Sequence, residues 1–234
     1  MISPSYNTAM LVLFIPPRAG FFLPARQQRH DRLRLKKTVR NIDASWQQRE
    51  TGEMQQQKKV QIVEATPGLL QTLATLDYRF TVTQELEAVF DRPVRDGLYP
   101  VTPREKNYFN HPQQFAALLN SRDGVLFVAQ LDEQPAGYLA VSRNWNGLAL
   151  VEDIAVHSAF RRSGCGGALL QRAISWAREQ QLAGVMLETQ NTNVAACLLY
   201  EKMRFELGGI DHHLYRALHA HPAETALFWY LWFK

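Results

Sequence analysis

The stretch that most limits what this chain can become runs from Val151 to Ala168, VEDIAVHSAFRRSGCGGA. Ile154, Ala155 and Val156 form a short apolar strand, and a turn follows. Arg161-Arg162-Ser163-Gly164-Cys165-Gly166-Gly167 then opens into an amphipathic helix expected over 166–181. In that helix Leu170, Ile174 and Ala177, and Leu169, Ala173 and Trp176, recur at helical spacing. Strand, glycine-rich turn and helix start together make an anion cradle. The first N–H groups of a helix have no intrahelical partner, and the positive end of the helix dipole lies beside them. Glycines let the backbone approach a ligand closely or take positive φ. A phosphate group here is expected to meet N–H groups from Arg162 to Ala168, with Arg161 and Arg162 as positioning charges. No Gly-Lys-Ser/Thr follows, which argues against a P-loop, and the G-x-G-x-x-G of a dinucleotide fingerprint is absent.

The net charge of +4 would suit a nucleic-acid binder, but its distribution does not. Residues 1–53 carry nine Lys/Arg against four Asp/Glu, or +5, which leaves 17 bases and 18 acids, or −1, for the remainder. The basic character therefore belongs to an extension and not to the cradle. Residues 1–58 are expected to be a disordered basic and polar extension or to lie upstream of a start at Met54, with 59–234 as the folded domain. A basic arm for nucleic acid or a membrane surface is the competing reading of the same segment. Met10 to Ile15 is too short for a signal-peptide core, and no apolar run approaches the ~18 residues of a membrane span. Cys165 and Cys197 alone do not suggest a disulfide framework, so a reducing cytoplasm is expected. No nucleic-acid or membrane partner is expected, and a homodimer is left open.

From Val60 the pattern is regular. Strands are expected at 60–65, 124–131, 136–143, 148–156, 185–189, from 205, and at 225–233; helices at 66–76, from 111 or 112 to 119, 166–181 and 191–203. Residues 77–100 read as irregular and aromatic-rich. The implied fold class is α+β, a mixed sheet whose first half is antiparallel. The helix after the cradle crosses over to a parallel strand at 185–189. If those two parallel strands splay apart, their free backbone groups can pair with a ligand wedged between them.

Two motifs carry a family resemblance. Arg161 to Gly166 has the spacing R-x-x-G-x-G. Asn193, Ala196, Leu199-Tyr200-Glu201-Lys202 and Phe205 follow N-x-x-A-x-x-L-Y-E-K-x-G-F. Together they resemble the GNAT superfamily of acyl-CoA N-acyltransferases over about 60–233, with its splayed central strands and flanking helices. Arg204 stands where the motif has glycine, a position that needs φ > 0. A narrower likeness, to the streptothricin acetyltransferases, rests on Leu187 to Asn193, Leu207-Gly208-Gly209-Ile210-Asp211 and Glu224 to Tyr230. It implies acetyl transfer from acetyl-CoA to an amine on the β-lysine tail of streptothricin. Other amines (a protein N-terminus, a lysine, a polyamine) or a non-catalytic CoA-binding regulator are the alternatives.

That resemblance assigns roles. Arg161, Arg162, Ser163, Gly164, Cys165, Gly166, Gly167 and Ala168 would hold the pyrophosphate, and the backbone of Ile154, Ala155 and Val156 the pantetheine arm. Tyr200 would be the general acid for the leaving thiolate, its ordinary pKa near ~10 keeping it protonated. Asn193 would contact CoA, cap its helix, or both. An amine of pKa ~10 must lose a proton before it attacks. Glu152 is the expected base, with Asp153 on the opposite strand face and Glu188 next door. A cationic acceptor would draw on Asp153, Glu188, Asp211, Tyr138, Trp145 and Trp229. Neither cysteine has a base nearby in sequence, so direct transfer is expected over an acetyl-enzyme. His157, His212, His213, His219 and His221 show no metal spacing, and no metal is expected.

Overall fold

The computed structural model describes residues 59–217 and 224–234. The extension expected over 1–58, the alternative start at Met54, and His219 and His221 lie outside the described residues. The described chain opens with β1 (Val60–Glu64). Thr66 then caps α1 (Pro67–Leu73), its Oγ1 accepting from the Leu69 N–H at 3.3 Å. Pro67 takes the first helical position, where a missing N–H costs no hydrogen bond. Next come β2 (Phe80–Leu86) and β3 (Leu98–Lys106), an antiparallel hairpin forming a two-stranded sheet of its own. The sequence hides this hairpin because Pro100 and Pro103 interrupt β3. Proline is tolerated at a sheet edge, and both strands of a two-stranded sheet are edges. Pro112–Asn120 is a 3-10 helix in place of the short helix expected there.

β4 (Gly124–Leu131), β5 (Gln134–Arg143) and β6 (Ala149–Val156) form the expected antiparallel meander. α2 (Cys165–Glu179) crosses over to β7 (Gly184–Gln190), followed by α3 (Val194–Lys202), β8 (Glu206–Asp211) and β9 (Ala226–Trp232). The main sheet has the order β1-β4-β5-β6-β7-β9-β8, and only β6 and β7 are parallel neighbours. One face packs Phe127, Leu139, Val141, Val151 and Leu187 under Leu169, Leu170 and Trp176 of α2. The other packs Leu126, Val128, Tyr138 and Ala140 against Leu70 and Leu73 of α1 and Phe115 of the 3-10 helix. Cover on both faces explains why β4 reads as a nearly unbroken apolar run. The aromatic last strand is inserted between β7 and β8. Leu227 and Trp229 are buried as expected, while Trp232 at its end is 59% exposed.

Two local features build the site. β6 and β7 pair only from Ala149↔Val185 to Val151↔Leu187. Beyond that point β6 keeps β5 as far as Val156↔Gly137, and β7 keeps β9 as far as Gln190↔Ala226. The facing inner edges separate, which is the expected splay. The second feature is a bulge in β6: Val141 pairs with Val151 but Ala140 with Asp153, so Glu152 is an extra residue. Val151 and Ile154 both join the α2-side core despite their odd spacing. The simple alternation expected to put Glu152 and Asp153 on opposite faces therefore does not hold.

Candidate active site

The anion cradle follows from its glycines and from one strained turn. Gly164, at φ +92°, is the N-cap of α2, and Arg162 before it also has positive φ, +61°. The Ala168 N–H closes the first helical turn on the Gly164 carbonyl at 3.0 Å. It is thus engaged, not free as expected. The N–H groups of Cys165, Gly166 and Gly167 are left without intrahelical partners. Gly166 packs beside Leu199 of α3 and Val156 of β6, where an added Cβ would stand 3.4 and 3.8 Å from them. Ser163 Oγ donates back to the Phe160 carbonyl and holds the turn. Arg161 donates to the Tyr78 carbonyl at 2.6 Å and lies over the Phe80 ring, and both it and Arg162 are exposed. Beside the cradle run Ile154, Ala155 and Val156, the part of β6 freed by the splay.

Tyr200 sits on α3 with its ring 6.0 Å from Phe205 and 6.1 Å from Trp229, and it is 3% exposed. Burial raises its pKa well above the usual phenol value, and Glu188 and Asp153 add to the rise. The hydroxyl therefore feels both carboxylates. Asn193 is the N-cap of α3, accepting from the Ala196 N–H at 3.3 Å, so the capping role is met. Tyr108 lies near enough for Asn193 to oppose the burial-driven rise of its pKa. Cys197 is buried on the same helix, and burial pushes its thiol up to about 12, which disfavours a thiolate nucleophile.

Two carboxylates occupy the opposite face of the splay. Asp153 Oδ2 accepts from Tyr138 Oη at 2.5 Å, and Asn110 Nδ2 donates to both Asp153 oxygens at 3.1 and 3.2 Å. Burial raises the Asp153 pKa against the lowering effect of these donors. On β7, Glu188 accepts from Tyr215 Oη. Burial raises its pKa too, while Tyr215 and Lys106 oppose the rise. Glu152, the extra residue of the bulge, is exposed.

Other expected substrate contacts are scattered. Tyr138 is fully buried and serves as the Asp153 donor, not as a pocket wall. Trp229 is buried against Tyr200. Asp211 ends β8 and accepts from the His213 and Leu214 N–H groups, which commits it to a turn. Trp145, 79% exposed, lies in the turn before β6, at the end of that strand away from the splay. Among the described residues no group of three His, Cys, Asp or Glu is placed to hold a metal ion. Sequence reasoning missed Lys106, Tyr108, Asn110, Tyr215 and the role of Glu224. The only local sign was Tyr108-Phe109 set between two asparagines in a polar loop.

An extended, anionic thioester donor fits along β6 on the α2 side, and a cationic acceptor fits the carboxylate side. That layout defines a CoA-dependent N-acyltransferase. Comparison with known proteins narrows the class. The acetyltransferase (GNAT) family model matches residues 87–205, and the chain belongs to that family. Streptothricin acetyltransferase A of Bacillus subtilis is 44% identical over 104 residues, 44% of this chain and 60% of that protein, so the match spans less than two thirds of it. A streptothricin acetyltransferase of Streptomyces lavendulae is 31% identical over 173 residues, 70% of this chain and 90% of the relative. Among solved structures, a provisionally designated streptothricin acetyltransferase of Bacillus anthracis in complex with acetyl coenzyme A superposes with a TM-score of 0.67. It is 33% identical, and the match covers 75% of this chain and all of that one.

Proposed function

We propose that this protein is an acetyl-CoA-dependent N-acetyltransferase that acetylates an amine on the β-lysine tail of streptothricin, by direct attack in a ternary complex, and so inactivates the antibiotic in the cytoplasm. The observation that carries the reading is the two-sided splay. N–H groups of Cys165 to Gly167 without intrahelical partners lie on one face, and the half-buried carboxylates Asp153 and Glu188 lie on the other. The names of the relatives point to the same acceptor.

Cys165, Gly166 and Gly167 N–H groups take the pyrophosphate, with Arg161 and Arg162 adding charge. The freed edge of Ile154 to Val156 pairs with the pantetheine amides and offers an N–H to the acetyl oxygen as negative charge develops there. A carboxylate of β6 receives the proton that the ammonium must lose. Glu152 is close in sequence and exposed. Asp153 is the better placed of the two, since its partners fix it toward the acceptor face and burial makes it the stronger base. The amine nitrogen then forms its bond to the carbonyl carbon, the C–S bond breaks as Tyr200 supplies a proton to the departing sulfur, and the second proton that the new amide nitrogen sheds restores the Tyr200 hydroxyl, through water. Two carboxylates suit an acceptor with more than one ammonium group.

The test is thiol release from acetyl-CoA by the purified full-length chain, with and without streptothricin, alongside polyamines and lysine peptides. Streptothricin-dependent release with one acetyl group gained by mass is the expected result. Release with a different amine only would discard the antibiotic and keep the reaction.

A further inference from the structure

The β2–β3 hairpin ends at the acceptor side of the splay, and one buried side chain fixes it there. Lys106, 3% exposed, closes β3 opposite Phe80. Its Nζ donates to Gln190 Oε1 at 2.7 Å, to Thr192 Oγ1 at 3.0 Å and to Glu224 Oε1. One ammonium thus ties the hairpin to the end of β7, to the turn before α3 and to the start of β9. The same ammonium lies 4.8 Å above the Tyr108 ring, which rests on Phe80. Just beyond, the chain turns sharply. Asn107 Oδ1 accepts from the Phe109 N–H, and Phe109 has φ +50° although it is 69% exposed. A strained, exposed aromatic is kept only where its surroundings dictate the backbone. The turn delivers Tyr108 to Asn193 and Asn110 to Asp153.

We propose that Lys106 is a positioning residue for acetyl transfer: its buried tie to Glu224, Gln190 and Thr192 holds the 107–110 turn so that Asn110 keeps its hydrogen bonds to the Asp153 carboxylate. The proposal rests on the acyltransferase reading for its meaning in catalysis, but not for its geometry. Lys106 touches no reacting atom and acts through Asn110. Around Asp153 the other groups are Tyr138 on β5, Tyr78 before β2 and Tyr200 on α3; all three sit on elements outside the turn, although Asn110 also acts on Tyr138 and Tyr108 on Tyr200. Around Lys106 stand Glu224, Glu188 and Arg104. Releasing the turn therefore removes the Asn110 contacts from Asp153 and leaves the Tyr138 hydroxyl on β5 as its remaining side-chain donor.

Substituting Lys106 alone would take the buried ammonium away from the Glu224 carboxylate and endanger folding. The test therefore uses the neutral pair Lys106→Met with Glu224→Gln, together with Asn110→Ala and the combination of all three. The Asp153 carboxyl is titrated by carbon-13 NMR in the full chain, which needs no substrate. Losing a donor to the charged form raises a carboxyl pKa. The neutral pair should raise it by about one unit, Asn110→Ala should do the same, and the combination should add little more, because both act through one contact. Turnover with whichever amine the wild type accepts should fall about tenfold or more in kcat, with the acetyl-CoA KM within about twofold, and the acid limb of the pH profile should move up with Asp153. An unchanged Asp153 titration in a folded neutral pair would overturn the proposal, as would fully additive shifts. Failure of the wild type to acetylate any amine would instead sink the functional reading and leave the NMR result to decide this one.

Discussion

At Tyr200 burial has two consequences that pull apart. Burial raises the phenol pKa and so keeps the hydroxyl protonated, which in the proposed mechanism holds a proton ready for the leaving sulfur. The same burial makes that proton harder to release, so in that mechanism it would be given up only as the new amide nitrogen returns one, and loss of the hydroxyl is expected to show in kcat. Tyr200→Phe keeps the ring between Phe205 and Trp229. It should lower kcat by ~100-fold with little change in acetyl-CoA KM. Steady-state rates between about pH 6 and 9, with chemistry shown to limit turnover, are the measurement; an unaltered rate would remove Tyr200 from the mechanism. Arg204 offers a second test away from the chemistry. It occupies the position after α3 with φ +69°, as its place in the motif required. Arg204→Gly should stabilise the fold by ~1 kcal/mol, less the entropy glycine gives the unfolded chain. The urea midpoint should rise with unchanged slope. These residues were legible in the sequence because helix caps and glycine turns are local. Asn110 and Glu224 were not: they reach Asp153 and Lys106 across 43 and 118 residues, through a hairpin and a strand insertion that no local motif records.

β6 shows at the level of one element why a strand's alternation can mislead. Its apolar residues announced the strand, but nothing in VEDIAV marks the bulge that makes Glu152 extra and commits Asp153 to Tyr138 and Asn110. The proline-interrupted β3 escaped notice for a related reason, since its partner strand and not its own pattern defines it. The half-buried Asp153 has a testable pH signature. Its folded pKa is raised by burial above the ordinary 3.8, so between those values the folded state holds more proton than the unfolded one. That contribution to stability is fully present below the ordinary value and is lost as pH rises through the folded value. Asp153→Asn cannot titrate and can still accept from Tyr138. Its stability relative to wild type should therefore improve between about pH 4 and pH 7, read as the difference in denaturant midpoints at the two pH values. Glu188→Gln should behave with the same sign, because burial raises that carboxyl too. A difference that stays constant with pH would show that neither carboxylate carries a buried charge. In Asp153→Asn the acid limb of kcat/KM should also disappear along with most of the activity.

Across the whole molecule, the sheet is two half-sheets, β1-β4-β5-β6 and β7-β9-β8, joined by three residue pairs and by the crossover of α2. The alternation of strands and helices foretold that crossover, while the splay was expected only through the family resemblance. A donor bound as proposed would supply backbone pairing along the freed edge of β6, and its pyrophosphate would neutralise the helix end of α2. The two halves of such a ligand should leave separate footprints. Acetyl-CoA at ~100 times its Kd should stabilise the fold by ~2.7 kcal/mol by mass action. It should also slow amide hydrogen exchange both at Ile154 to Val156 and in the first turn of α2 from Cys165 to Gly167. Acetyl-pantetheine, which has the thioester and amides but no pyrophosphate, should protect only the strand. Raising salt should weaken acetyl-CoA binding through its exposed charges, Arg161 and Arg162, and leave acetyl-pantetheine nearly unaffected. Exchange mass spectrometry with the two ligands separates these contributions. Protection of the helix start without the strand would mean that the cradle binds phosphate while the splay serves some other purpose. Protection of neither would place the donor elsewhere on the molecule and take the proposed roles of Ile154 to Val156 with it.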